Sequence, residues 1–295
     1  MTPRARRALD AATTVARAHG LTVGEPVVLA DGQNAVVHLR PAPVVARVAT
    51  CTRLLRPDTR RHFGREVALA SALSAAGAAV VPPSGELPPG PHVQDGLTVS
   101  FWRHVDISTS EQPTPETVGR ALGDLHAVLA TLPDDLVADG SPLDTPLDDL
   151  AVFGERAAEL GAEPGAVRRA GDLVARLGPL LAGRPGGLLH GDTHPGNLLG
   201  TPGGWLSTDL EDCCRGPVGW DLACLRRTAR LDGRAAVDAT PFPMDDEELA
   251  PFSWLRSLHV AARWHVAATR EQRWLPEARA LLARAVDEVT AGLGD

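Results

Sequence analysis

An ordered run of short apolar segments, turns and acids over residues 187–209 constrains this chain more than any other feature. Apolar runs at 187–189 and 198–199 flank the segment HGDTHPGN at 190–197, and a third strand-like run precedes Asp209. Apolar runs broken by glycine and proline are typical of buried strands joined by a loop. The sequence therefore predicts two short buried strands separated by a polar loop, named here the HGDTHPGN loop, and then a strand that ends at an acid.

The polar groups of this run are an acid, Asp192, an amide, Asn197, and a second acid, Asp209. Phosphoryl transfer from a nucleotide uses one carboxylate that accepts the proton of the attacking hydroxyl, and an Asn and a second carboxylate that hold magnesium. Each residue alone would also fit an ordinary turn or strand end, because Asp and Asn are common in turns. As an ordered set they predict Asp192 as the catalytic residue and Asn197 and Asp209 as metal ligands.

Length and composition predict a globular protein that acts away from membranes. The chain has 295 residues, of which 44% are hydrophobic and 22% charged, which is ordinary for such proteins. No apolar run approaches the about 18 residues that span a bilayer, and the basic N-terminus continues without an apolar signal core. The four cysteines form no CxxC pair, so neither a zinc site nor a disulfide framework is expected. We expect a cytoplasmic location.

The absence of lysine excludes several mechanisms. All 29 basic residues of the chain are arginine, and tyrosine is also absent. Schiff-base chemistry and the phosphate-binding loop that ends in Lys-Ser/Thr both need a lysine amine. Lysine-dependent mechanisms of both kinds are therefore excluded.

Charge is unevenly distributed along the chain. Residues 1–104 contain 12 arginines and 7 acids, a net charge of +5, whereas residues 105–295 contain 17 and 30, a net charge of −13. A basic half beside an acidic half suits an enzyme that takes a polyanion and a cationic partner, although ordinary surface charge would give the same asymmetry. Nucleic acid is a poor match for the acidic half, so it is not expected as a partner.

The segment HGDTHPGN, followed by STDLEDCCRGPVGWDLA at 207–223, closely resembles the catalytic segment of the aminoglycoside phosphotransferase-like kinases, the family that includes choline kinase-type enzymes. The resemblance implies an α+β, two-lobed protein kinase-like fold. Its small N-terminal lobe, residues 1–104, would contain an antiparallel sheet and bind the nucleotide. Its larger, mostly helical C-terminal lobe, residues 105–295, would carry catalysis and acceptor binding.

The resemblance also implies roles for residues of the N-terminal part. Arg47, on a predicted strand, takes the place of the usual lysine and binds phosphates, and Glu66 on the next helix orients it. An exposed ion pair between these two residues, or no contact, is the alternative. The turn with Gly32 and Asn34 would cover the nucleotide phosphates, although an ordinary hairpin turn would look the same.

We also expect particular roles or surroundings for five further residues. Trp102 and His104 lie where the two lobes join in the resembled family and would be near the base, although Trp102 would equally suit the core. His190 would fix the loop. Asp221 would hydrogen-bond the loop backbone. Asp212 is expected to be solvated.

The expected activity is ATP-dependent transfer of the γ-phosphate to a hydroxyl of a small polar, cationic molecule such as an aminoglycoside-type antibiotic, which would confer antibiotic resistance. Magnesium is the expected metal, and GTP stays open as the donor. A kinase of a small metabolite (an amino alcohol, a sugar or a glycated amine) and a nucleotide-binding pseudokinase are the alternatives. The protein is expected to be a monomer or a homodimer. The C-terminal helices show no catalytic motif and are expected to shape the acceptor pocket.

Overall fold

The chain divides into two compact units that are interleaved in sequence. The computed structural model describes residues 1–108, 112–133, 136 and 140–294. The first unit comprises Met1–Gln112 and Leu198–Glu211, and the second comprises Pro113–Asn197 and Asp212–Asp295. The segment Leu198–Glu211, which the sequence-based division placed in the C-terminal lobe, clusters with the first unit. The functional division at residue 104 stays a prediction.

The elements of the two units confirm the expected α+β fold, an antiparallel sheet in the N-terminal part and a mostly helical remainder. The first unit contains α1 (Pro3–Ala18), β1 (Val27–Asp31), β2 (Asn34–His38), β3 (Val44–Ala49), α2 (Thr59–Ala75), β4 (His92–Gln94), β5 (Leu97–Arg103), β7 (Leu198–Thr201) and β8 (Gly204–Ser207). The second contains α3 (Pro115–Leu129), α4 (Asp144–Glu155), α5 (Pro164–Leu181), β6 (Gly187–Leu189), β9 (Cys214–Gly216), α6 (Gly219–Arg226), α7 (Gly233–Asp238), α8 (Asp246–Ala268) and α9 (Leu275–Leu293).

The sheet of the first unit places Arg47 at the centre of its middle strand. The strand order is β1-β2-β3-β5-β4, and the paired strands are antiparallel. Arg47 on β3 lies opposite Val36 on β2 and Ser100 on β5. Alternate residues of these strands are apolar and join one buried core. A charged side chain at such a central position must be compensated by charges of opposite sign.

Helix α1 covers part of this core through an alanine-rich face. Thr2 caps the helix by accepting a hydrogen bond from the backbone N–H of Ala5 at 3.1 Å, and Pro3 occupies the first turn. Ala8, Ala12 and other small residues of one face are buried in the core of the first unit. Small side chains let the helix approach the sheet closely, which explains why an alanine-rich segment forms a packed helix here.

The hairpin formed by β7 and β8 is attached to the first unit by backbone hydrogen bonds. The N–H of Val81 donates to the carbonyl of Ser207 at 2.9 Å, and the N–H of Ser207 donates to the carbonyl of Ala79 at 2.8 Å. Asp209 follows β8 by two residues. These bonds therefore place the acid that ends the strand in the same unit as Arg47.

Helix α8 is the central helix of the second unit and packs on α4, α5, α6 and α9. Its first turn is closed by a capping box, in which Asp245 accepts from the N–H of Glu248 at 2.9 Å and the Glu248 carboxylate accepts from the N–H of Asp245. Its inner face contains three polar residues among apolar ones, at intervals of three and four. The stripe is Leu249, Phe252, Arg256, His259, Arg263 and Val266.

Within the described residues, no helix combines the length and the apolar character needed to cross a membrane.

Candidate active site

The backbone of the HGDTHPGN loop is fixed by residues at the start of α6. The carboxylate of Asp221 accepts hydrogen bonds from the N–H groups of His190 at 3.0 Å and Gly191 at 2.8 Å. The indole N–H of Trp220 donates to the carbonyl of Gly191 at 2.8 Å. Gly191 has a φ of 91°, and a Cβ there would lie 2.0 Å from the carbonyl oxygen of Asp212. Only glycine fits this position, so the residue before Asp192 is fixed by both hydrogen bonds and sterics.

Asp221 is itself held by a histidine from α3. The Nε2 of His126 lies 2.8 Å from the Oδ2 of Asp221, which is fully buried. Burial by itself raises the pKa of Asp221, but the hydrogen bond and charge of His126, the charge of His190 and the N–H of Gly191 outweigh it and lower the pKa. The carboxylate therefore stays ionised while it accepts the hydrogen bonds of the loop. Inside the loop, the Nδ1 of His190 accepts from the N–H of Asp192 at 3.3 Å.

The carboxylate of Asp192 is buried between two arginines of α8. The Nη2 of Arg256 donates to Oδ1 of Asp192. The Nη1 of Arg263 lies 3.5 Å from Oδ2, and the Nε2 of His194 lies 3.8 Å from the same oxygen. Burial alone raises the pKa of Asp192, but the charges of Arg256 and Arg263 lower it to about 2. Asp192 therefore keeps its negative charge at neutral pH.

The two arginines are held by further contacts. The guanidinium of Arg256 lies 5.9 Å from the ring centroid of Trp220, and its Nη1 lies 3.4 Å from the Nδ1 of His259. Arg263 donates to the Oδ2 of Asp212 at 2.6 Å. Together these contacts form a buried row of ionisable groups, named here the Asp192 cluster, which consists of Asp149, His259, Arg256, Asp192, Arg263 and Asp212.

The side chain of Asn197 is oriented by the loop that contains it. Its Nδ2 donates to the backbone carbonyl of Asp192 at 2.9 Å, and its backbone N–H donates to the carbonyl of His194 at 2.9 Å. Because the amide nitrogen is used in this bond, the side-chain oxygen is the atom that a cation could bind. An amide oxygen is a suitable magnesium ligand.

In the first unit, Arg47 is a buried cation that contacts three carboxylates. Its Nη1 donates to Glu66 on α2, and its Nη2 donates to Asp209 and to Glu211. Burial lowers the pKa of Arg47, but the charges of Asp209, Glu66 and Glu211 outweigh this and raise it. The pair of Arg47 and Glu66 is thus a buried contact and not an exposed one.

Glu211 gathers side chains from four places in the first unit. Its Oε1 accepts from the hydroxyl of Thr52 at 2.6 Å and from the Nη1 of Arg56 at 3.0 Å. Its Oε2 accepts from the Nδ2 of Asn34 and from Arg47. Glu211 therefore joins the turn that carries Asn34 to the strand that carries Arg47. No role for this residue could be predicted from the sequence.

Asp209 combines an unusual backbone conformation with partial exposure. Its φ is 63°, in the left-handed region that a residue with a Cβ rarely adopts, and its side chain is 38% exposed. Strain of this kind is found where a side chain is held in a functional direction. A carboxylate oxygen at Asp209 in the first unit and an amide oxygen at Asn197 in the second are each of the donor type that magnesium prefers.

Three residues expected near the nucleotide lie in the first unit in ordinary surroundings. Gly32 does not have a positive φ, and a Cβ there would meet only the carbonyl of Asn34 at 3.5 Å. The ring of Trp102 is largely buried, and its N–H donates to the hydroxyl of Ser100 at 2.9 Å. The ring of His104 stacks on His38 with 3.9 Å between centroids. The predicted nucleotide contacts of these residues stay predictions.

Two parts of the sequence-based interpretation need correction or addition. Asp212 was expected to be solvated, and this is wrong, since only 3% of it is exposed and Arg263 neutralises it. Arg256 and Arg263 were not predicted as site residues. Their signal was present, because they fall on the apolar stripe of α8, where an unpaired charge would be costly and a partner is therefore required.

Comparison with known proteins gives a family and a fold. The sequence model of the phosphotransferase enzyme family (APH) matches residues 28–242, which is most of the chain. No curated protein matches the sequence. Three similar solved structures are described next. Their sequences are 15–19% identical to this chain, so they show the fold alone.

Each of the three structures covers nearly the whole chain. The GDP and kanamycin complex of APH(2")-IIia is 15% identical and has a TM-score of 0.65 over 92% of this chain and 97% of its own. The microcompartment-associated aminopropanol kinase is 19% identical, with a TM-score of 0.63 over 95% and 97%. The choline kinase LicA from Streptococcus pneumoniae is 15% identical, with a TM-score of 0.59 over 94% and 98%.

Proposed function

Because this chain belongs to the phosphotransferase enzyme family, we propose that it transfers the γ-phosphate of ATP to a hydroxyl of a small molecule. The observation that carries the proposal is Asp192, a buried and ionised carboxylate on a loop whose backbone is fixed by Asp221. A carboxylate in this state can orient the attacking hydroxyl and accept its proton. Its low pKa makes it a weak base, so orientation of the hydroxyl is the larger part of its contribution.

Arg47 is the proposed phosphate-binding cation. It cannot lose its proton, and its planar fork can contact two phosphate oxygens at once. Glu66 holds one side of that fork, so the guanidinium is oriented before a nucleotide binds. The contacts of Arg47 with Asp209 and Glu211 would be partly exchanged for contacts with phosphates.

Asn197 and Asp209 are the proposed ligands of magnesium. When bound, the ion neutralises charge on the nucleotide phosphates. Three carboxylates, those of Glu66, Glu211 and Asp209, contact Arg47. Carboxylates close to the phosphates suit a divalent cation.

The acceptor is proposed to be a small polar molecule with at least one hydroxyl. The similar solved structures include a kanamycin complex, a choline kinase and an aminopropanol kinase. Together with the net charge of residues 105–295, this supports a cationic acceptor of the aminoglycoside or amino alcohol type, whereas the two arginines that contact Asp192 favour an acidic acceptor as the alternative. ATP is the proposed donor, and a cytoplasmic location, where ATP is abundant, is proposed with it.

The test of this function is nucleotide turnover with a broad acceptor panel. Release of ADP or GDP is measured with ATP or GTP, with and without magnesium, in the presence of aminoglycosides, amino alcohols, neutral sugars and sugar acids. We expect turnover that requires magnesium and one class of acceptor. Magnesium-dependent nucleotide binding without turnover on any acceptor would instead support a nucleotide-binding protein without kinase activity.

Gly32 offers a test of the nucleotide site that leaves the fold intact. Gly32→Ala should not destabilise the protein, because the turn has no positive φ and the added Cβ makes only an ordinary contact. If the turn covers phosphates, the methyl group should weaken ATP binding by about tenfold, as expected for a lost charge-assisted hydrogen bond of about 1.5 kcal/mol. Titration calorimetry measures this affinity. Gly85→Ala, an added methyl in open space, is the matched control, and an unchanged ATP affinity in Gly32→Ala would contradict the assignment.

The pH dependence of turnover follows from the charge of Asp192. Its pKa of about 2 means that it is ionised at all pH values above about 4, and that its stabilising contribution is lost only as the pH falls towards 2. We therefore expect kcat/KM for the acceptor to show no acidic limb from Asp192 between pH 5 and 8. Arg256→Gln removes a cation that lowers this pKa, so an acidic limb should move up towards pH 4–5, a rise of about 2–3 units. A pH–rate profile from pH 4.5 to 8 measures both, and a profile of Arg256→Gln that matches the wild type would show that Arg256 does not set the charge state.

A further inference from the structure

The side chains that contact Asp192 differ in charge from the C-terminal half of the chain as a whole. Residues 105–295 carry a net charge of −13, yet two side chains that contact the carboxylate of Asp192 are arginines. Arg256 and Arg263 are seven residues apart on α8, so they lie on one helix face, two turns apart. Because each carboxylate oxygen of Asp192 already faces a guanidinium, Asp192 is a poor attractor for an ammonium group.

A third arginine lies beside the same loop. A Cβ built on Gly196 would be 2.7 Å from the Nη1 of Arg230, so this exposed guanidinium lies directly against the loop backbone. Arginines thus flank the loop both at Asp192 and at Gly196. Arg256 and Arg263 are paired with Asp192 and Asp212, whereas Arg230 is an exposed positive charge beside the loop and favours an anionic group there over a cationic one.

Arg256 and Arg263 differ in how far they can meet a ligand. The side chain of Arg256 is 9% exposed and lies among Trp220, His259 and Asp192, so its role is to position Asp192. The side chain of Arg263 is 20% exposed, and its Nη1 bridges Asp192 and Asp212. A guanidinium can contact a carboxylate with two parallel hydrogen bonds, and a partly exposed one can do so without unfolding its surroundings.

We propose that Arg263 binds an acidic group of the acceptor, so that the molecule phosphorylated at Asp192 is a hydroxylated acid and not an amine. This inference rests on the proposed phosphotransferase function and assigns its acceptor class from the side chains around Asp192. It departs from the cationic acceptor that the overall charge of the chain suggests, because the local side chains and not the distant surface contact the acceptor.

The experiment compares acceptors that differ only in charge. The first set is glucuronate, glucose and glucosamine, and the second is glycerate, glycerol and 3-amino-1,2-propanediol. With ATP and magnesium held constant, kcat/KM is measured for each compound. We expect the carboxylates to exceed the neutral compounds by at least about tenfold, which corresponds to a charge-assisted hydrogen bond, and the amines to be the poorest.

The variant Arg263→Gln identifies the residue that recognises the acid. Because Arg263 also contacts Asp192, every acceptor should react more slowly, but the ratio of kcat/KM between carboxylate and neutral partner should fall by about tenfold or more. Arg263→Lys keeps the charge that Asp212 needs and should keep part of the preference, and it carries the test if Arg263→Gln does not fold. Arg284→Gln removes an arginine of α9 that pairs with Glu277 and should leave the ratio unchanged.

Three results would overturn this inference, and they have different consequences for the proposed phosphotransferase function. Preferred phosphorylation of the amines would reject the acidic acceptor and keep the phosphotransferase function. An equal loss for all acceptors in Arg263→Gln would place Arg263 at the transferred phosphoryl group instead. Absence of phosphorylation on any compound, cationic aminoglycosides included, would reject both the acceptor class and the proposed function.

Discussion

Asp192→Asn is expected to lower kcat for phosphoryl transfer by about 10³-fold, because a general base or hydroxyl-orienting carboxylate contributes roughly 10²–10⁴-fold. The amide can still fill the space between Arg256 and Arg263, but it cannot accept the proton of the hydroxyl. ATP affinity should change by less than about threefold, since the residues proposed to hold phosphates, Arg47 and Glu66, lie in the other unit. Rapid-quench measurement of the transferred phosphate gives kcat, and titration calorimetry gives the affinity.

The control for this variant is Asp172→Asn, which removes one carboxylate from the exposed face of α5. It should keep wild-type turnover. Circular dichroism on both variants shows whether the loss of charge at Asp192 has unfolded the second unit, since Arg256 loses a buried partner. A folded Asp192→Asn protein with wild-type turnover would show that Asp192 does not have the proposed role.

Glu211→Gln is expected to lower the free energy of unfolding by about 3 kcal/mol, because one change removes the counter-charge of two buried arginines. Arg47 and Arg56 both donate to Glu211, and Arg56 is almost fully buried. Arg47 and Asn34 both donate to Glu211, so the same change also removes the link between the strand of Arg47 and the turn of Asn34. The affinity for ATP should therefore fall by about tenfold as well. Urea unfolding with one probe in each unit measures the first effect, and calorimetry measures the second.

Two matched variants define what Glu211 contributes. Glu25→Gln changes an exposed acid of the same unit and should alter neither quantity. Glu211→Asp keeps the charge and shortens the side chain by one methylene, so it should retain more stability than Glu211→Gln. Equal losses for the two changes would mean that the position and not the charge of the carboxylate matters. If neither variant loses stability, Glu211 does not stabilise this unit.

Local patterns in the sequence predicted much of the fold. The alanine-rich helix α1, the hairpin of β1 and β2, and the start of α3 after Thr114 each depend on side chains close in sequence, so spacing and capping residues identify them. The HGDTHPGN loop was recognised in the same way. Its support by His126 was not, because His126 lies 95 residues from Asp221 and only the tertiary fold brings the two together.

The candidate site was predicted less completely because its charges are balanced by distant residues. The partners of Glu211 come from β2, β3 and the segment that follows β3, 155 to 177 residues away. Arg256 and Arg263 lie 64 and 71 positions beyond Asp192 and are part of a helix without a recognisable motif. A sequence shows that a buried charge requires a partner, but it does not show which of many distant acids or arginines provides it.

The interleaving of the two units restricts how this protein can be cut into pieces. Residues 1–112 look like a natural fragment, but they lack Leu198–Glu211, which lies 86 positions further along the chain. Such a fragment would bury Arg47 and Arg56 without Glu211 and would leave the backbone groups of Ala79 and Val81 without the β8 strand. A soluble nucleotide-binding fragment would therefore need the β7–β8 hairpin attached through an engineered linker. Protein fragments expressed separately for complementation would meet the same requirement.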